Sequence, residues 1–390
     1  MPLINRFAEL HSDITEWRRD LHENPELLYD THRTSGIVAD KLRAFGCDVV
    51  KTGIGRTGVV GVIHGKQNTS GKVMGLRADM DALPIFEATG LPYASKTEGK
   101  MHACGHDGHT AMLLGAAQYL AETRNFDGTA VIIFQPAEEG GAGGREMVED
   151  GMMEEFGIQE VYGMHNWPGL PVGQFAIRQG AFFAATDLLE ITVTGKGAHA
   201  AMPQDGVDTT LVASAIVMAL QSVVSRNTDP LAATVVSITS FETESKAFNV
   251  IPEKVELKGT VRTLSPEGRD LAQERITTIV ECTAAAYGAT AELNYNRNYP
   301  VMVNSNDQTD FAVGVASALV GSQNVDPNAP QTMGGEDFAF MLESRPGTYI
   351  LVGNGDSANV HHPLYNFNDE AIPTGCSYWA RLIEQGMPAT

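Results

Sequence analysis

Four short stretches of this chain hold side chains that could bind a metal ion or move a proton. Residues 101–109 read MHACGHDGH, which sets three histidines, a cysteine and an aspartate at the mouth of an Ala- and Leu-rich run. Residues 136–140 read PAEEG, an adjacent glutamate pair, while 163–166 read GMHN and 360–363 read VHHP. Imidazole, carboxylate and thiolate together are the donor set of zinc and similar divalent ions. The candidates exceed the four donors of a tetrahedral site, so two ions are expected in place of one. A pair about 3.5–4 Å apart would hold a bridging water, lower its pKa and polarise a carbonyl. One of Glu138 and Glu139 could then bind metal while the other takes the proton of that water. The reaction class this implies is hydrolysis of an amide or peptide-like bond.

Such residues need elements to gather them. CDVVKT (47–52), GVVGVIHG (58–65), KVMGLRAD (72–79), TAVIIF (129–134), EVYGMHN (160–166) and TYILVGNG (348–355) read as strands. Helical patterns fall at 110–123, near 144–153, at about 307–320 and from about 373. That alternation predicts an α/β fold with a mostly parallel sheet covered on both faces. Asp79 and Asp81 end one strand, the glutamate pair follows another, His165 ends a third, and His361 and His362 come shortly after a fourth. Ligands of open α/β sheets bind beyond the carboxyl ends of the strands, so one edge collects the candidates. CGHDGH adds the rest at a helix N-terminus.

Residues 184–298 change style. DLLEITVT, a long helix at 206–226, ATVVSITSFE, KVELKGTVRT, a helix opened by Ser265-Pro266, and ATAELNYN follow in order. This is β-α-β-β-α-β, the ferredoxin-like split βαβ unit. The expected organisation is therefore a metal-binding catalytic domain, 1–183 plus 299–390, interrupted by an inserted domain, 184–298. At the N-terminus Leu3, Phe7, Leu10, Ile14, Trp17 and Leu21 recur at helical spacing and stop before Pro25, predicting an amphipathic helix packed on the body. No apolar run reads as long enough to span a bilayer. The net charge of -21 excludes nucleic acid and an anionic membrane surface as partners. Four widely spaced cysteines show no disulfide framework, which predicts a reducing compartment and a cytoplasmic protein. GIGRTG at 53–58 matches a dinucleotide fingerprint, but strand-like VVGVIHG follows it where a helix is required, so it reads as a hairpin turn.

MHACGHDGHTAMLLGAA, FQPAEEG, GMHNWPGLPVG, GKGAHAAMP, FNVIP, GTVRT, MGGEDF and HHPLYNFND resemble, in order and over essentially the whole chain, the M20 metallopeptidases. The closer resemblance is to their amidohydrolase branch of hippurate hydrolases, N-acyl-amino-acid amidohydrolases and auxin-conjugate hydrolases. It implies two divalent ions (zinc or manganese, with cobalt or nickel admissible) held by Cys104, His106, Glu139, His165 and His361. Glu138 is then the general base. The inserted domain resembles a lid through which the chain forms a homodimer or a higher homo-oligomer. His199 in that domain is expected to support the oxyanion in the partner's active site. Asn249 and Arg262 resemble residues that hold a substrate α-carboxylate. Other branches carry a histidine ligand where this chain has Arg77, so Asp79 is expected to orient a ligand imidazole from behind. The implied substrate is an N-acyl amino acid of N-acetyl or N-benzoyl type. A dipeptidase or carboxypeptidase on the same site, and a non-catalytic metal-dependent binding protein, are the alternatives. A Cys104 thiol nucleophile would leave both glutamates and His165 idle. His102 and His109 are expected to be hydrogen-bonded supports or residues of the helix start, and His362 competes with His361.

Overall fold

Apolar runs without polar alternation leave a strand no face for water, and such runs make the middle of the larger sheet. In the computed structural model, which describes residues 3–389, Thr129–Gln135, Val73–Asp79, Glu160–Pro168 and Gly347–Gly355 lie side by side in that order, each parallel to its neighbour. Every residue of Thr129–Gln135 is buried. The edges are mixed. Gly58–His64 runs antiparallel to Thr129–Gln135 and carries Val49–Ile54 outside it, while Phe175–Ala176 runs antiparallel to Gly347–Gly355 and pairs in parallel with Val325–Asp326. The fold is α/β with a mostly parallel centre. Ile54 pairs with Gly58 across an antiparallel hairpin, so GIGRTG is a turn and opens no helix.

The helix His106–Thr123 is the centre of this unit's packing. His11–Glu23, His32–Phe45 and Ile372–Gly386 enclose it, and it packs in turn on Val73–Asp79. Small residues permit that closeness: a Cβ at Gly115 would meet Ile14 Cδ1 at 2.6 Å and Cys376 Sγ at 2.9 Å. The N-terminal helix is divided at Leu10 into Asn5–Glu9 and His11–Glu23. Phe7, Leu10, Ile14 and Leu21 are buried as the helical spacing predicts, whereas Leu3 is exposed.

The chain divides into two compact units: Met1–Gly180, Val303–Pro330 and Asp337–Thr390 form one, and Ala181–Met302 with Gln331–Glu336 the other. Chain order alone leaves 331–336 in the larger unit. Backbone hydrogen bonds from Thr332 N to Phe182 O (3.0 Å) and from Ala184 N to Gly334 O (2.9 Å) tie it instead to the smaller one.

The smaller unit is a four-stranded antiparallel sheet in the order Thr234–Thr243, Lys254–Thr263, Ala185–Thr194, Thr290–Tyr299. Helices Thr209–Ser222 and Pro266–Ala286 pack on it and on each other. Asp208 caps the first by accepting from Thr210 N and Leu211 N, and Ser265 caps the second by accepting from Gly268 N. Strand and helix order are those of the split βαβ unit. One expectation from the sequence fails here. The helical run Thr209–Asn227 is, by length and composition, long and apolar enough to cross a membrane. Its Val212, Ala213, Ile216, Leu220 and Val223 are buried in this unit's core, the placement of an ordinary packed helix.

Candidate metal centre

The four parallel strands end on one rim, and each leads to a candidate donor. Asp79 closes Val73–Asp79, the glutamate pair follows Thr129–Gln135, His165 lies near the end of Glu160–Pro168, and His361 follows Gly347–Gly355. Between them stands the N-terminus of His106–Thr123, entered through Gly105 at φ +95. Only glycine fits there, because a Cβ would meet Asn166 Nδ2 at 2.2 Å and Tyr365 Oη at 2.5 Å.

Donor atoms then converge in two sets that share one sulfur. Cys104, His106 and His165 offer atoms all within 4.8 Å of one another, and so do Cys104, Glu139 and His361. Cys104 Sγ lies 3.3 Å from His165 Nε2. His361 Nε2 lies 3.3 Å from Glu139 Oε1. His106, Glu138 and Glu139 form a further such group.

The imidazoles are set for coordination by what their other nitrogens do. His106 Nδ1 donates to the Asp81 carbonyl at 2.8 Å, which leaves Nε2 as the nitrogen facing the other donors. His165 Nδ1 donates to the Asn166 carbonyl at 2.6 Å, turning Nε2 toward Cys104. Among the described residues His106 Nε2 is buried with no hydrogen-bond partner, and buried Glu139 Oε1 has no hydrogen bond but an ion pair with His361 at 3.3 Å. Buried polar atoms rarely stay unpaired, and a shared cation would satisfy both. On that ground the residues fit a pair of divalent ions, with Cys104 common to both donor sets.

Electrostatics point the same way. Burial, reinforced by Glu139, Glu138 and Asp79, pushes the Cys104 thiol well above its usual range. A bare thiolate is therefore disfavoured at this spot, and the nucleophile reading loses its reagent. Burial also drives His165 well below the ordinary histidine value, with His109 and His106 adding to it, so its imidazole is neutral. Glu139 is held low: burial opposes ionisation, but His361 and His106 outweigh it.

The supporting residues differ from the sequence-based expectation in two places. Asp79 Oδ1 accepts from His109 Nδ1 at 2.7 Å, and His109 Nε2 accepts from Asn166 N at 2.9 Å. Asp79 thus orients His109, whose two nitrogens are both engaged, and not one of the candidate ligands. Burial opposes its charge, yet His106, His109 and Arg77 keep Asp79 well below the usual carboxylate range. Among the described residues His102 has no hydrogen-bond partner on either nitrogen, so it is no hydrogen-bonded support; burial drives it down to about 3 and it is neutral. Of the doubled histidines, His361 faces Glu139 from a left-handed backbone (φ +65), while His362 Nδ1 accepts from Leu364 N at 3.1 Å.

Several partners give no sign of themselves in the sequence. Fully buried Arg77 donates to Asp79 Oδ2 (2.8 Å), Gln135 Oε1 (2.9 Å) and Asp337 Oδ1 (3.0 Å). Tyr365 Oη donates to Asn166 Oδ1 at 2.6 Å, and Asn166 Nδ2 donates to the Cys104 carbonyl at 2.6 Å. The remaining candidates belong to the smaller unit. His199 pairs with Val250 between two short strands, is exposed, and accepts from Ala201 N at 3.0 Å. With Asn249, Glu244 and Glu253 it lines a cavity of about 600 Å³. Half-buried Arg262 donates to the Thr260 hydroxyl and the Val261 carbonyl, with no ion-pair partner among the described residues.

The sequence model of Peptidase family M20/M25/M40 matches residues 75–385. The chain belongs to this family. Among its M20 relatives, the hippurate hydrolase of Campylobacter jejuni is 43% identical over 382 residues, covering 98% of either chain. The N-acetylcysteine deacetylase of Bacillus subtilis is 41% identical, covering 95% of this chain and 96% of its own. A solved Bacillus subtilis structure described as a dinuclear metal binding peptidase from the M20 family superposes with a TM-score of 0.85. It is 35% identical, and the match covers 98% of this chain and 100% of that one.

Proposed function

We propose that the protein is a dinuclear metal-dependent amidohydrolase that removes the acyl group from an N-acyl amino acid. The observation that carries this reading is the pair of donor sets meeting at Cys104, with the Glu138 carboxylate beside them. Cys104, His106, Glu139, His165 and His361 are the residues that would hold the ions. Bound there, two divalent cations activate water and polarise a carbonyl.

The rest of the chemistry falls to the chain. Glu138 follows Ala137, whose φ of +55 bends the backbone before the rim. It takes a proton from the attacking water and returns it to the leaving amine. His199 steadies the developing oxyanion, and Asn249 with Arg262 holds the α-carboxylate, the guanidinium doing so bidentately. Because Arg262 makes no ion pair among the described residues, its charge is available to an anion. These three roles rest on the family resemblance, as does a homodimer in which His199 serves the partner subunit.

The test is an assay of purified protein on N-acetyl and N-benzoyl amino acids and on dipeptides, before and after chelation and with metal restored. Hydrolysis of the acyl compounds that is lost to chelator and recovered with zinc or manganese supports the proposal. No product with any divalent ion favours a binding protein, and preference for free dipeptides favours a dipeptidase. Glu138→Gln should retain metal and lose about 10²–10⁴-fold in kcat, the usual worth of a positioned base. Full turnover by metal-loaded Glu138→Gln would remove Glu138 from that role.

A further inference from the structure

One residue outside the donor sets touches more of them than any assigned above. Asp81 lies two residues beyond the strand Val73–Asp79 and is buried. Its Oδ1 accepts from Glu138 N at 2.9 Å and its Oδ2 from Glu139 N at 3.1 Å. Its backbone carbonyl accepts His106 Nδ1 at 2.8 Å, the bond that frees His106 Nε2. A single carboxylate therefore spans the consecutive amides of the base and its neighbour, and the same residue fixes the tautomer of an imidazole. Charge-assisted hydrogen bonds of this kind are short, directional and about twice as strong as neutral ones. The glutamates need such a hold, since the loop leaving Thr129–Gln135 carries left-handed Ala137 just before Glu138.

We infer that Asp81 is the positioning residue of the site, a clamp that sets Glu138 and Glu139 relative to His106 without touching substrate. This rests on the proposed roles of Glu138 and Glu139. The two attachments are separable by mutation. Asp81→Asn keeps the backbone carbonyl, and with it the His106 tautomer, but turns an amide NH₂ toward one of the two glutamate N–H groups. Donor then faces donor, and one glutamate is released while Cys104, His106 and His165 stay in place.

The experiment compares wild type with Asp81→Asn, using cobalt(II) alone as the metal probe. The variant should bind cobalt and keep the thiolate-to-cobalt absorption of Cys104. Its kcat should fall about 10–100-fold with KM changed much less, the range usual for residues that orient metal-site groups. Amide hydrogen exchange at 138 and 139 should quicken in the variant. Unchanged kcat with unchanged exchange would overturn the inference, and so would loss of the sulfur–cobalt band together with activity. Should Asp81→Asn fail to fold, the wild type still decides: slow exchange of the Glu138 and Glu139 amides supports the clamp, and solvent-like exchange refutes it. That measurement needs no turnover. A wild type that binds no cobalt and cleaves no N-acyl amino acid would sink the proposed function while leaving the clamp to be judged by its amides.

Discussion

At the scale of single residues, the site combines groups whose ionisation preferences oppose one another until a cation joins them. Cys104 is the clearest case, because burial and three carboxylates disfavour the thiolate that a metal would require. The metal-free protein should therefore hold Cys104 as an unreactive thiol. Alkylation with iodoacetamide followed by mass spectrometry should label exposed Cys282 first and leave Cys104 largely unlabelled at neutral pH. Rapid labelling of Cys104 would revive the nucleophile reading. A metal would reverse the preference by stabilising the thiolate directly, as coordination does for thiols generally. Cys104→Ser should accordingly weaken metal binding more than folding, a contrast that calorimetric metal titration and thermal melts resolve.

At the scale of elements, the question is how the mouth of His106–Thr123 is held still. Part of the answer is the N-terminal helix. Arg18, buried in His11–Glu23, pairs with Asp369 at 2.7 Å and approaches Asp107 at 3.5 Å, and His22 on the same helix meets Asp107 at 2.9 Å. The other His22 nitrogen faces Glu87 at 3.4 Å. Burial lowers the pKa of His22, but hydrogen bonds to Asp107 and Glu87 outweigh it and raise it to about 9. A folded value above the unfolded 6.5 stabilises the protein fully below pH 6.5, and the contribution fades as pH rises toward 9. The gap in unfolding free energy between wild type and His22→Gln should thus be widest near pH 6, on the order of 3 kcal/mol, and close toward pH 9. A gap that stays constant across that range would mean His22 is neutral in the fold. This anchoring shows where sequence reading ends. The strands and the βαββαβ order were legible because hydrophobic period and turn spacing are local signals. The Arg77–Asp337 pair spans 260 positions, and the Arg18–Asp369 pair 351; no local pattern marks either. The contact of His361 with Glu139 is likewise a backbone matter, made from one left-handed residue that spacing does not encode.

At the scale of the whole molecule, an acidic chain is expected to act on a substrate that is itself an anion. With 48 acidic and 27 basic residues, the global field repels a carboxylate, so recognition must come from local cations. Arg262 is the candidate in the smaller unit, and Arg262→Lys should raise KM while changing kcat less, because an ammonium cannot reproduce the bidentate fork. A chain that completes its neighbour's site makes a stronger demand, and mixing variants tests it. Glu138→Gln removes the proposed base from one subunit's larger unit, and His199→Ala removes the proposed oxyanion support from the other's smaller unit. If His199 acts in the partner, a mixed dimer carries one site lacking both groups and one site with both intact. Random pairing makes about half the dimers mixed, so unfolding and refolding the two variants together should restore about a quarter of wild-type turnover. If His199 acts within its own chain, every site in the mixture lacks one group, and activity stays at the level of the separate variants. Refolded wild type fixes the scale, and the fraction of mixed dimer is read independently by tagging one variant.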